Sequence, residues 1–336
     1  MIDGRFLSYL RGRFGSNVSY REPPKKLAGG FVTDVYGFAL DGAPDEWSGP
    51  LVLRVYRSDT DPVAVRRERC AQDVVAAQSV PAPKVLACED TAGTLGGPFM
   101  VMERLPGRIQ LAIDFPRVIV EVPKLFTMHR RHAEAMRMVH ALDAGPLLDA
   151  FATAGIDRRS AGPEHWLDSS ETLIDRWGLG GTRPGLEWLR EHMPASTRLT
   201  ICHGDFFGGN ILEERGRITG ILDWNLVTVA DPAFDFGGQM AASEMSPIAA
   251  PLPVRWIATG IGQLLARGLR RAYPATALDP DAVRYFAVMR AFTEMVYKLA
   301  AQARVRETGV PERMPTWRPK QCARYFLDRT GVSVDI

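Results

Sequence analysis

A short polar segment between residues 202 and 237 holds the side chains best suited to chemistry. His203, Asp205 and Asn210 follow the spacing His-x-Asp-x-x-x-x-Asn, and Asp223 stands just after the next apolar run. A carboxylate can accept the proton of a hydroxyl group, while an amide oxygen and a second carboxylate can hold a divalent cation. We therefore expect a site at which a base lies beside a metal ion.

The residues that follow Asn210 have the pattern of a tight β-hairpin. Two apolar runs, 211–213 and 218–222, are separated by a charged turn that contains Gly216. Pairing positions whose numbers sum to about 433 places Asp223 opposite Asn210. A nucleotide-bound Mg²⁺ typically takes one or two carboxylates besides phosphate oxygens and waters, so this pair has suitable chemistry. The alternative is a polar hairpin with solvated acids and a structural histidine.

The same segment resembles the signature of the aminoglycoside phosphotransferase and choline kinase family. The family pattern is His-Gly-Asp-x-x-x-x-Asn, then an apolar residue with Asp-Trp, then Asp-Pro-x-x-Asp, and each part is present here. The resemblance implies a kinase-like fold and phosphorylation of small-molecule hydroxyl groups, with Asp205 as the catalytic base. It also implies that Asn210 and Asp223 bind Mg²⁺ and that Asp231 and Asp235 order the loop behind them.

A second motif in this segment imitates a metal site. Residues 235–237 read Asp-Phe-Gly, which is the metal-binding motif of protein kinases. They lie beyond a further loop, so Asp235 would not face Asn210 across the hairpin. Asp223, which is followed by tryptophan, is the expected metal ligand.

The amino-terminal part of the chain carries weaker signals of nucleotide binding. Gly29 and Gly30 lead into an alternating strand, and glycine lets backbone N–H groups approach phosphates, although a hairpin with a glycine bulge is the alternative. Arg54 lies on the next strand, 51–56, where kinases carry a phosphate-binding lysine, and Glu68 lies on a helix predicted over 63–79. We expect an ion pair between them, against the alternative of a solvated strand charge.

Residues 97–107 have the pattern of an apolar strand that runs into a Pro-Gly stop, where two lobes should join. In a kinase fold, adenine bonds to the backbone of this connection, which assigns Met102, Glu103 and Leu105 to the nucleotide. The alternative is an interior strand that ends at a turn.

Composition sets the limits of these interpretations. The 336 residues are 46% hydrophobic and 24% charged, which is typical of a globular protein large enough for two cores. The net charge of +2 gives no support for a nucleic-acid partner, and no window approaches the roughly 18 apolar residues of a membrane span. The charged residues among the first 15 argue against a signal peptide. Four widely separated cysteines suggest reduced thiols and a cytoplasmic protein.

Helical periodicity dominates the carboxy-terminal part, where the resemblance places the acceptor site. Helices are predicted near 126–142, 166–177, 186–192, 254–273, 280–306 and 319–330. Residues 241–310 contain nine Lys and Arg against five Asp and Glu, and this excess of base argues against a polycationic aminoglycoside as acceptor.

Together these patterns predict an α+β protein with a two-lobed, protein-kinase-like fold. A nucleotide-binding lobe would span 1–105 and a helical lobe with the catalytic loop 106–336. The predicted reaction is Mg²⁺-dependent transfer of the γ-phosphoryl group of ATP, or of GTP, to a hydroxyl group of a small molecule. A pseudokinase that only binds nucleotide is one alternative, and a kinase acting on protein side chains is another. The sequence does not define the acceptor or the oligomeric state.

Overall fold

The structure is a computed structural model that describes residues 2–27, 33–110, 117–195, 198–245, 252–273, 278–309 and 318–336. The chain divides into two units. The first consists of Met1–Arg108, Asp149–Ile156 and Leu212–Asn225, and the second contains the rest. The first unit thus takes in two segments from beyond the predicted boundary at residue 105, and the predicted lobes themselves stay a prediction.

A five-stranded antiparallel sheet is central to the first unit. Its strands are β1 (Ser19–Lys26), β2 (Asp34–Asp41), β3 (Leu51–Val55), β4 (Val85–Glu89) and β5 (Phe99–Glu103), in the order β1-β2-β3-β5-β4. Successive side chains of a strand point to opposite faces. Leu51 and Leu53 enter one hydrophobic core, so Arg54 faces the other side of the sheet.

The helix α2 (Pro62–Ala77) confirms the helix predicted over 63–79. It begins sharply because the Asp61 side chain accepts a hydrogen bond from the Val63 N–H at 2.8 Å, and proline occupies its first turn. Its residue Val65 shares a small core with Met100 of β5. The helix therefore packs on the same side of the sheet as Arg54.

The helix α1 (Ile2–Phe14) and the strand β1 of the first unit were not predicted. The helix buries Phe6 and Leu10 in the core on the far side of the sheet. Strand β1 contains Pro23 and Pro24, lies at the sheet edge and shifts its register against β2. Proline has no N–H to donate, so strands tolerate it mainly at edges and bulges. The two prolines therefore make this strand hard to predict from the sequence.

Helices dominate the second unit. They are α3 (Arg117–His140), α5 (Glu164–Trp177), α6 (Arg183–Glu191), α7 (Ala233–Met245), α8 (Leu252–Ala272), α9 (Pro280–Thr308) and α10 (Pro319–Thr330), while α4 (Gly145–Thr153) has residues in both units. Six of these correspond to the predicted helices. The exceptions are α4 and α7, and α7 contains two adjacent glycines, which lower helix propensity. At Gly237 a Cβ would lie 2.6 Å from the Val283 carbonyl oxygen, so glycine permits the close packing of α7 on α9.

The predicted hairpin is present after the catalytic-type loop. Its strands are β8 (Ile211–Glu214) and β9 (Arg217–Ile221), and β6 (Arg108–Ile109) completes a three-stranded sheet in the order β6-β8-β9. Arg215 and Gly216 have φ angles of 48° and 82°, as in a two-residue type I′ turn. Glu214 and Arg217 therefore flank the turn, which differs by two positions from the predicted register.

Two short strands of the second unit precede and follow this region in the sequence. The strand β7 (Thr200–Cys202) comes just before the catalytic-type loop, and β10 (Thr228–Ala230) comes after the hairpin. They pair antiparallel, with Cys202 opposite Thr228. This pairing fixes the point at which the loop begins.

Candidate active site

The predicted cation and carboxylate of the first unit are in contact. The Arg54 guanidinium forms an ion pair with Glu68 through Nη1, and the Tyr56 hydroxyl donates to the other Glu68 oxygen at 2.8 Å. Glu68 is only 1% exposed. A carboxylate at that depth is tolerated when it is both paired and hydrogen bonded. The ion pair is therefore part of the structure, while its role toward a nucleotide stays a prediction.

Asp223 joins the same group of side chains. Its Oδ1 lies 3.0 Å from Arg54 Nη2, and Arg54 Nε donates to the Thr33 hydroxyl at 3.1 Å. The backbone of Asp223 has a φ of 65°, a left-handed conformation that is uncommon outside glycine. Such conformations are concentrated at functional sites. We call the group Arg54, Glu68, Asp223, Tyr56 and Thr33 the Arg54 cluster.

Electrostatics keep this arginine charged. Burial alone would lower the pKa of Arg54, but the carboxylates of Asp223 and Glu68 raise it above its ordinary value. Burial raises the pKa of Glu68, and the Arg54 charge opposes that rise. The cluster therefore places one fixed cation between a deeply buried carboxylate and a more exposed one.

In the second unit, Asp235 fixes the turn that precedes the predicted base. Its carboxylate accepts hydrogen bonds from the backbone N–H groups of His203 at 2.7 Å and Gly204 at 2.8 Å. Gly204 has a φ of 82°, and a Cβ there would lie 2.0 Å from the Leu226 carbonyl oxygen. The turn therefore requires glycine, and Asp235 has the ordering role that the family resemblance implied.

Asp235 also belongs to a buried group that has the ligand types of a metal site. Among the described residues, His140, Cys202 and Asp235 place one potential ligand atom each within 4.8 Å of one another. Both ring nitrogens of His140 are engaged, one with Asp235 at 3.0 Å and one with the Tyr273 hydroxyl at 2.8 Å. Burial alone raises the pKa of Asp235, but His140 lowers it below its ordinary value. These contacts indicate a structural clamp, not a metal centre.

Asn210 and Asp205 interact directly. The Asn210 amide nitrogen donates to the Asp205 backbone carbonyl at 3.0 Å and lies 3.4 Å from the Asp205 Oδ2. The orientation of an amide follows from such a network of hydrogen bonds. Because the nitrogen is engaged, the amide oxygen of Asn210 is the atom left to coordinate a cation.

One residue at this loop, Arg290, was not predicted from the sequence. Arg290 of α9 binds the Asp205 carboxylate, with Nη2 at 2.9 Å from Oδ1. The available signal was a lone arginine within the apolar run 285–296, followed one turn later by Glu294. Charged side chains are rarely buried unless they are paired, so a cation in a buried helix marks a specific partner.

Three further predicted residues lie at the end of β5 or just after it. Met102 and Glu103 end strand β5, and the Glu103 N–H donates to the Lys84 carbonyl at 3.0 Å. Leu105 follows the strand. Gly29 and Gly30 fall outside the described residues. The sharing of one ion by Asn210 and Asp223 stays a prediction.

Comparison with known proteins decides the family. A sequence model described as the phosphotransferase enzyme family matches residues 25–276. The chain belongs to this family. The aminoglycoside 3'-phosphotransferase of Streptomyces fradiae is 26% identical to this family member over 223 residues, which cover 63% of this chain and 74% of that protein.

Other similarities agree with this assignment. The mouse protein named acyl-CoA dehydrogenase family member 10 is 30% identical over 194 residues, or 55% of this chain. This family member spans only 18% of the length of that relative. A structure of aminoglycoside phosphotransferase APH(4)-Ia with AMP-PNP and hygromycin B superimposes with a TM-score of 0.58 and 20% identity, covering 97% of this chain and 99% of that one. The predicted α+β kinase-like fold is confirmed.

Two further findings concern the cysteines and the helices. All four cysteines are free thiols. None of the helices in the described ranges has the length and apolarity needed to cross a membrane.

Proposed function

We propose that this phosphotransferase moves the γ-phosphoryl group of ATP, or alternatively of GTP, to a hydroxyl group of a small molecule, with Asp205 as the base. The observation that carries the proposal is the loop geometry around Asp205. Its backbone is fixed by Asp235, and its side chain is held between Asn210 and Arg290. Phosphoryl transfer depends mainly on positioning and charge neutralisation, which is what such a fixed loop supplies.

In the proposed step, the acceptor oxygen forms a bond to the γ-phosphorus, and the bond from that phosphorus to the bridging oxygen breaks. Asp205 takes the hydroxyl proton, and the electron pair of the broken bond leaves with the nucleoside diphosphate. The Asp205 side chain is 30% exposed, so its carboxylate can meet an acceptor without rearrangement of the core.

The donor atoms present are compatible with Mg²⁺. The hydrogen bond of Asn210 uses its amide nitrogen, so its amide oxygen can coordinate a cation. Asp223 pairs with Arg54 through Oδ1, so its other carboxylate oxygen can do the same. Hard oxygen ligands of this kind are what Mg²⁺ prefers. We propose that Asn210 and Asp223 hold the ion, which would neutralise charge on the nucleotide phosphates when bound.

Other residues of the first unit complete the proposed nucleotide site. Arg54 is the proposed phosphate ligand, since its fork of donors suits phosphate oxygens and Glu68 fixes its orientation. At the end of β5, the N–H of Glu103 already donates to the Lys84 carbonyl. We therefore propose that adenine bonds to the Glu103 carbonyl and to the N–H of Leu105. Met102 would line the same position, and Gly29 and Gly30 would cover the phosphates.

The test is to separate metal-dependent binding from transfer. Asp223→Ala should lose Mg²⁺-dependent nucleotide binding, while Asp205→Ala should keep that binding and lower transfer by about 10²–10⁴-fold. Binding is measured by calorimetry with and without Mg²⁺. Transfer is measured as ADP release with a panel of hydroxylated compounds. Equal nucleotide affinity of the wild type with and without Mg²⁺ would overturn the metal assignment.

The acceptor panel should contain sugars, amino alcohols and aminoglycosides, which all carry hydroxyl groups. Free thiols and the proposed use of ATP support a cytoplasmic site of action. Release of ADP that depends on one class of compound and on Asp205 would define the acceptor class. Release that is unchanged in Asp205→Ala would contradict the proposal.

A further inference from the structure

Arg290 occupies an unusual position for a charged side chain. It lies in the middle of α9, where Phe286, Met289 and Phe292 around it are buried, and its own side chain is 13% exposed. Removing a guanidinium from water is costly unless good partners compensate. The contacts of Arg290 therefore show what compensates for that cost.

The first partners belong to the catalytic-type loop. Arg290 Nη2 lies 2.9 Å from Asp205 Oδ1, and Nη1 donates to the backbone carbonyl of Gly204. One guanidinium thus holds both the carboxylate of the proposed base and the peptide unit just before it. Two parallel contacts fix a direction as well as a distance, which a single contact cannot do.

A second set of contacts fixes the arginine itself. Glu294, one turn along α9, places Oε1 2.9 Å from the same Nη2. The Trp166 ring lies under the guanidinium, with its centroid 5.5 Å from Cζ, and the Trp166 N–H donates to the Thr228 hydroxyl at 3.0 Å. Burial alone would lower the pKa of Arg290, but Glu294 and Asp205 raise it. We call Arg290, Asp205, Glu294 and Trp166 the Arg290 cluster.

We propose that Arg290 is a positioning residue, which orients Asp205 so that its second oxygen receives the acceptor proton. The inference rests on the proposed function. With Oδ1 bound to Arg290, the carboxylate cannot rotate freely, and Oδ2 keeps a lone pair for the acceptor besides its long contact to Asn210. A catalytic group displaced by about 1 Å can lose about 10²-fold in rate, so this restraint should appear in kcat.

The test compares three substitutions in the full-length protein. Arg290→Ala should lower kcat about 10²-fold, while the dissociation constant for Mg²⁺–ATP stays within about twofold of the wild type. Arg290→Lys keeps the charge without the planar fork and should lower kcat about tenfold. Arg284→Ala is the matched control, since Arg284 lies on the same helix in an exposed pair with Asp281 and should leave kcat unchanged.

A further measurement separates positioning from folding. Millimolar guanidinium ion added to Arg290→Ala should restore part of kcat, because the ion can occupy the vacated place beside Asp205. Restored kcat with unchanged nucleotide binding supports the proposal. Wild-type kcat in Arg290→Ala, or a loss that neither guanidinium nor lysine improves, overturns it. Failure of the proposed function would look different, since Asp205→Ala would then be as active as the wild type.

Discussion

The Arg54 and Arg290 clusters are built on one plan in two units of the chain. Each contains an arginine between two carboxylates, and each arginine lies over an aromatic ring. The guanidinium carbon is 5.2 Å from the centroid of Tyr56 in one cluster and 5.5 Å from that of Trp166 in the other. Arg54 lies on a strand and Arg290 on a helix, so the common arrangement does not come from a common backbone.

The clusters differ in how deeply the supporting carboxylate is buried. The Glu68 side chain is 1% exposed, whereas that of Glu294 is 16% exposed. The other carboxylates, Asp223 and Asp205, are more exposed, and they are the ones proposed to take part in the reaction. An uncompensated charge costs more where water cannot reach it. We infer that the Arg54 cluster contributes more to stability and that the Arg290 cluster contributes more to the geometry of transfer.

The largest expected effect concerns stability. Arg54→Met should lower the free energy of unfolding by about 3–5 kcal/mol, because Glu68 is left as a buried charge without its partner. Arg290→Met should cost about 1–3 kcal/mol, because Glu294 is nearer to solvent. Urea denaturation of both variants measures the difference. An equal or larger loss in Arg290→Met would break the comparison.

Acid should lower the stability of the second unit, since all six histidines of the chain lie there. Burial lowers the pKa of His132 to about 4, while the ring bonds to the Phe206 carbonyl in the catalytic-type loop. Between pH 6.5 and about 4 the unfolded chain binds the extra proton, so stability falls as the pH falls, by up to about 3 kcal/mol. Urea denaturation across this range should show a smaller fall in His132→Gln. The exposed His192→Gln is the control, and identical slopes for His132→Gln and the wild type would contradict the prediction.

Nucleotide affinity should distinguish the two arginines. Arg54→Lys should weaken Mg²⁺–ATP binding about tenfold, or about 1.4 kcal/mol, because an ammonium group cannot contact two phosphate oxygens in a fixed plane. Arg290→Lys should leave that affinity within about twofold. Calorimetric titration of both variants checks the difference. An equal loss of Mg²⁺–ATP affinity in both variants would contradict the proposal that only the Arg54 cluster binds the nucleotide.

The smallest expected effect is at the surface of α9. Asp281→Asn removes the pair with Arg284, in which both side chains are more than half exposed. Exposed pairs of this kind contribute about 0.2–1 kcal/mol, so the urea midpoint should change little. A loss comparable to that of Arg290→Met would show that burial is not what separates strong pairs from weak ones in this helix.

Residues with characteristic local spacing could be predicted from the sequence, whereas partners far apart in the chain could not. Asp205, Asn210 and Asp223 lie within one short segment, and Arg54 and Glu68 follow each other in a familiar order, so these residues were predicted as site residues. Arg290 and Asp205 are 85 residues apart, and only folding brings them together. The clamp between His140 and Asp235 joins residues 95 apart and was missed for the same reason.

Elements were predicted well where the apolar periodicity was regular and poorly where special residues interrupted it. The predicted helices 280–306 and 319–330 match α9 and α10 closely. The hairpin was found, but its register depended on the backbone angles of the turn, which the sequence does not specify. The prolines of β1 and the glycines of α7 concealed an edge strand and a buried helix.

The two-residue turn at Arg215 and Gly216 also limits how this family member can vary. Strand residues alternate between faces with a period of two, so one residue inserted in β9 after the turn would reverse the side presented by the residues beyond it, up to Ile221. An insertion of two residues would preserve the faces and only lengthen the ribbon. Natural length variation between the base loop and Asp223 should therefore come in even steps, and an engineer who wishes to graft this segment onto another scaffold should keep that parity.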